Sequence, residues 1–138
     1  MKKFIVFLSM ATMLVALGAP LSAQSLTLKA NVPFEFTVSG QSMPAGEYTV
    51  APLTFGSAAI SISSVNSGVL ATVIRGDSGR TGESKLIFHR YGDQYFLARI
   101  VNGDRATAMV LPVSRNEKES AKTASLGHYE TVTILASL

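Results

Sequence analysis

The sequence predicts an all-β domain: an antiparallel β-sandwich or flattened barrel of eight to nine strands, with one short surface helix before the last strand. Three observations carry this. Short runs alternating apolar and polar residues fill the chain from Ser25 onward, and Gly, Pro, Asn, Asp and Ser clusters separate them. Gly92-Asp93 and Asn102-Gly103 have the chemistry of hairpin turns, which need backbone that ordinary side chains resist. Helical periodicity is confined to one polar stretch after Ser114.

The first segment is set apart from that domain. Lys2 and Lys3 precede an uncharged apolar run, Phe4 to Ala19, which ends in Pro20-Leu21-Ser22-Ala23. A basic start, an apolar centre and small residues at a cut are the marks of a secretory leader. The run is about 16 residues, short of the roughly 20 that span a bilayer as a helix. Residues 1–23 are therefore expected to be a signal peptide cleaved near Ala23, leaving residues 24–138 as a single exported domain, periplasmic or extracellular. The leader removes two lysines, so the mature chain has ten basic residues against nine acidic ones. No dense basic stripe exists to neutralise phosphates, which argues against a nucleic-acid partner. The chain has no cysteine, so stability must come from its core. A chain of about 115 residues can bury roughly 65% of its unfolded surface, enough without metals or bridges.

The strands follow in order. Ser25 to Val32 alternates, and Pro33 interrupts it. Phe34, Phe36 and Val38 share one face of the next strand, with Glu35, Thr37 and Ser39 on the other. Gly40 to Gly46 reads as a connecting turn. Glu47 to Leu53, Ala58 to Ser64 and Val69 to Arg75 are further strands, and glycine-rich Gly76 to Ser84 is an exposed loop. Lys85 to Tyr91, Gln94 to Val101 and Asp104 to Val113 form a meander. With two-residue turns, Phe88 faces Leu97 and His89 faces Phe96; Leu97 in turn faces Ala108, and Phe96 faces Met109. Both faces of the meander are then apolar, which suits strands covered on each side or a face meeting a partner. Ser114 and Glu117 have capping-box spacing, starting a polar helix that reaches about Ala124 and brings little to the core. Tyr129 to Ala136 is the last strand, with Val132, Ile134 and Ala136 on one face.

Tempting motifs lack the partners their chemistry needs. Gly76-Asp77-Ser78-Gly79 matches the nucleophile segment of trypsin-like proteases. In those enzymes the histidine and carboxylate precede the serine, whereas His89 and His128 follow it here. The match is fortuitous, and no catalytic residue is assigned. Arg75-Gly76-Asp77, the tripeptide integrins read, is explained by a strand end and a loop. His89 and His128 lack a third and fourth ligand at metal-binding spacing, so no metal or cofactor is expected. Glu35, Glu47 and Asp93 could serve a small hydrolase only if two of them converge in a cleft. Short strands, no tryptophan and a non-aromatic C-terminus disfavour an outer-membrane barrel. The best candidate binding patch is Arg90, Tyr95 and Arg99, expected on one face of the hairpin beside Phe88 and Leu97, where arginines and an aromatic could meet an acidic or carbohydrate partner.

Asn31-Val32-Pro33-Phe34-Glu35-Phe36-Thr37-Val38, Pro44-Ala45-Gly46-Glu47-Tyr48-Thr49-Val50 and Leu86 to Leu97 together resemble a family of small secreted, functionally uncharacterised bacterial proteins found especially in soil acidobacteria. The resemblance covers most of the mature chain. It implies an exported β protein and supplies no activity, ligand or catalytic residue.

The leading expectation is a non-enzymatic exported domain that binds an unidentified protein, carbohydrate or small molecule through a sheet face or barrel mouth. The alternatives are a structural, envelope-associated homo-oligomer and, behind it, a small hydrolase.

Overall fold

Leu28, Ala30 and Val32 are buried on β1 (Leu28–Val32) while Lys29 and Asn31 between them are exposed, the period of two that an extended chain imposes. The computed structural model describes residues 27–53, 58–79, 82–124 and 128–138. The expected leader, its cleavage site and the strand start at Ser25 lie outside them. The other elements are β2 (Phe36–Val38), β3 (Gln41–Met43), β4 (Gly46–Pro52), β5 (Ala59–Ser63), β6 (Gly68–Thr72), β7 (Ile74–Asp77), β8 (Ser84–Tyr91), β9 (Gln94–Asn102), β10 (Thr107–Val110), α1 (Arg115–Thr123) and β11 (Glu130–Ser137).

The fold is all-β, as the alternation predicts. One hydrogen-bonded path runs β3-β2-β9-β8-β11-β1-β4-β5-β6, and β10 links β9 to β7. Strands β6 and β7 are one extended stretch interrupted only at Val73, so the ladder returns almost to its start and the sheet is nearly closed into a barrel. The ladders are antiparallel except where Thr37 on β2 meets Phe96 on β9. Phe36, Met43, Tyr48, Val50, Ile60, Ile62, Leu86, Phe88 and Ile100 fill the interior. Burying one such side chain contributes about 1.5–3 kcal/mol. Val132, Ile134 and Ala136 of β11 pack on that core from one face.

Four details differ from the sequence expectation, each for a physical reason. The segment 40–46 is more than a turn: Ser39 (φ 50°) and Gly40 (φ 81°) both take the left-handed region and close a hairpin that pairs Val38 with Gln41. Strand β7 carries the extended chain through Asp77, so Gly76 belongs to a strand paired with Ala108.

The third difference is at Asn102-Gly103. Gly92 (φ 59°) makes the expected two-residue turn, with Phe88 opposite Leu97 and His89 opposite Phe96. The next turn is longer: Asn102 pairs with Thr107, so Val101, not Leu97, faces Ala108, and Ile100, not Phe96, faces Met109. Asn102 Oδ1 accepts the Arg105 N–H at 3.2 Å, bracing the wider loop. Gly103 is wedged so closely on the Glu83 backbone that a Cβ would collide with it.

Fourth, α1 is no bystander. Ser114 caps it as expected, its Oγ accepting the Glu117 N–H at 3.2 Å. The Glu117 side chain, however, is buried and turns to β8. Tyr91 and Phe96, placed by the β8–β9 register on the sheet's outer face with His89, are buried as well. The apolar outer face of the meander is thus partly covered from within the chain.

Candidate functional site

Alternation along β8 places His89 and Tyr91 on the outer face, beneath the helix that follows β10. His89 Nδ1 lies 2.8 Å from Glu117 Oε1, and the Tyr91 hydroxyl donates to the same oxygen at 3.2 Å. Tyr129 stacks on the His89 ring at 3.8 Å. One buried carboxylate therefore ties α1 to the barrel. Burial, joined by the Glu117 charge and hydrogen bond, pushes the Tyr91 phenol up to about 12. Burial also raises Tyr48, whose hydroxyl donates to the Pro44 carbonyl.

Clamped this way, α1 forms one wall of an open groove of about 930 Å³. Glu35, Thr37 and Ser42 from the β2–β3 hairpin form another wall, and the β8–β9 turn, Gly92-Asp93, with Gln94 forms the end. Glu119, Ser120 and Thr123 project from the helix side. The Ser120 hydroxyl donates to Gln94 Oε1, joining helix to hairpin. Ser42 donates to Glu35 Oε1 at 2.7 Å, and Glu119 pairs along the helix with Arg115 at 3.6 Å. Among the described residues three carboxylates, Glu35, Asp93 and Glu119, line the groove, and no Lys, Arg or His does. Of the acids considered for hydrolysis, Glu35 and Asp93 share this recess, while Glu47 is exposed on β4 opposite Asn31.

The expected patch of Arg90, Tyr95 and Arg99 is only half assembled. Arg90 faces Tyr95 across the hairpin, its guanidinium carbon 5.4 Å from the ring centre. It also donates through Nε to the Gly92 carbonyl at 2.7 Å and pairs with Glu130 at 3.5 Å. The other contact of Tyr95 is Phe34, stacked at 3.9 Å, which in turn meets Phe88 edge-on. Arg90 and Tyr95 are thus the outer end of an aromatic column running into the core. Arg99 is elsewhere. The register slips at Ile87/Phe88, leaving Ala98 as an extra residue, so Arg99 pairs with Ile87 on the face opposite Phe88. Its Nε is shut away from solvent without a hydrogen-bond partner among the described residues.

Sequence reasoning missed the groove because its walls come from three distant segments. Only Glu117 left a local trace, as the glutamate that closes the capping box three residues after Ser114. Among the described residues no cluster of three metal-ligating side chains occurs, and no helix is long and apolar enough to cross a membrane. Comparison of the chain with protein-family models, with curated proteins and with solved structures finds no match, so any functional reading has to stand on this geometry.

Proposed function

We propose that the chain is an exported, non-enzymatic β-barrel domain that binds a polar ligand in the groove between the β2–β3 hairpin, the β8–β9 turn and α1. The observation that carries this is the contrast between an interior filled by side chains and an outer recess of about 930 Å³ with polar walls. Three carboxylates with hydroxyl and amide neighbours form an acceptor-rich lining, suited to ammonium and hydroxyl donors. An amino-sugar oligomer combines both, and it would be held by its polar edges, since the Tyr95 ring is already stacked on Phe34.

The test is an NMR titration of the protein with a glucosamine trisaccharide, using its N-acetylated counterpart as the neutral control. The glucosamine oligomer is expected to shift the amides of Gln94, Glu119 and Ser120, and Asp93→Asn should weaken binding by about tenfold. Absence of shifts at those positions with both sugars at millimolar concentration would sink the reading. Hydrolysis is the second reading, favoured by Glu35 and Asp93 sharing the recess. It predicts cleavage of the oligomer during the same titration.

A further inference from the structure

The hydrogen bonding of β6 stops where that of its continuation, β7, begins. Val73 N–H bonds to Ala58 O and Ser64 N–H to Ser67 O, each at 2.7 Å. Bonded pairs alternate along an antiparallel ladder, so Val69 and Ala71 are the residues that exchange bonds with β5. Gly68, Leu70 and Thr72 must therefore turn their N–H and C=O groups to the other side. On β7 that same side is occupied: Ser78 N–H bonds to Ala106 O at 3.1 Å, which sets Ile74 and Gly76 against β10. Beyond Val110 the cover of β7 ends: Leu111 N–H continues the ladder with β9, bonding to Ala98 O at 2.9 Å, and Pro112, which would come opposite Thr72, has no N–H to give. Among the described residues no ladder covers the open side of β6.

Exposed apolar side chains gather beside this opening. Leu70 is 63% exposed, Ile74 65%, Val65 99% and Val113 49%. Natural edges are guarded by charge, proline or brevity. β3, at the other end of the path, is three residues long, exposes Gln41 and Ser42, and is followed by Pro44. β6 carries neither charge nor proline.

We infer that β6 is a pairing edge for a second copy of this chain, joined antiparallel about a two-fold axis at Leu70. In that register Leu70 meets its own copy, and Gly68 meets the second copy's Thr72. All three outward-facing residues then gain backbone bonds, whereas a register centred on Val69 or Ala71 engages two. The strand is self-complementary because it bears no charge that would oppose itself across the axis. The outer side of the second copy's Ile74 is held by that copy's own Val110, so the pairing stops short of Asn66, and the β5–β6 turn with exposed Val65 comes up to the end of that β10, where Val110 is exposed.

Sedimentation equilibrium of the purified protein should show a reversible monomer–dimer equilibrium. Leu70→Lys, which places like charges face to face, should raise the dissociation constant by about tenfold or more with an unchanged circular dichroism spectrum. Thr72→Pro, which removes an outward donor and leaves the β5 bonds intact, should do the same. Since the chain has no cysteine, Leu70→Cys alone should cross-link copies under mild oxidation. Facing residues of a bonded pair lie about 5.5 Å apart at Cα, within disulfide reach. Leu135→Cys, on an equally exposed residue of β11, should not. The inference fails if the protein stays monomeric at the highest attainable concentration. It fails equally if both variants dimerise like the parent, if the two cysteine variants cross-link alike, or if the Leu70 amide is protected from exchange in a dilute monomer.

Discussion

Glu117 on α1 and His89 on β8 meet at 2.8 Å, with the carboxylate buried and the imidazole partly exposed. This contact, 28 residues apart in the chain, docks the only helix among the described residues onto the barrel. Glu117→Ala should lower stability by about 1–3 kcal/mol, because it removes the shared acceptor of two donors, one of them a buried phenol. Urea denaturation of parent and variant measures this. An unchanged midpoint would show that the clamp carries no stability.

Tyr91 makes stability depend on pH at the alkaline end. Its phenol holds its proton to about 12 in the folded protein, against an ordinary value of 10.0. Between those two values the unfolded chain releases a proton that the folded chain retains. Stability from this residue is therefore fully present below pH 10 and is lost as pH rises towards 12. The melting temperature should fall across that window, and Tyr91→Phe should flatten the fall.

Gly103→Ala should destabilise by about 1–3 kcal/mol, as overpacking does, since the new methyl group would meet the Glu83 backbone rather than a side chain able to swing away. Chemical denaturation tests it. Gly76→Ala is the control, because its added Cβ meets open space.

Phe88 touches both Phe34 and Phe36 edge-on and is fully buried. Phe88→Ala should cost about 3–5 kcal/mol. It should also loosen Tyr95, which rests on Phe34, and a sharpened loss of near-ultraviolet dichroism would report that.

Much of the fold was legible because side-chain alternation and turn chemistry are local. Gly92-Asp93 set the β8–β9 register correctly, and Ser114 located the helix start to the residue. What escaped was decided by contacts between distant segments. Alanine at position 98 carries no local sign that it will bulge, yet that one extra residue sends Arg99 to the opposite face from Tyr95. The Asn102-Gly103 pair looked like a tight turn, but its width is set by how Gly103 fits against Glu83. The groove escaped for the same reason: Glu35, Asp93 and Glu119 become neighbours only after the barrel and helix have assembled. Polar residues on α1 read as a solvated surface, and the capping-box spacing that marks Glu117 gives no sign that its side chain turns to β8.

The strand shared between β5 and β10 makes the barrel a cuff with a single fastening. The circumference is joined by one stretch of backbone that changes neighbours at Val73, so thermal breathing has a natural place to begin. The cheapest rupture is an unbuttoning there, with each flank keeping the half-strand it already holds, and amides around residue 73 should exchange sooner than those of the β8–β9 hairpin.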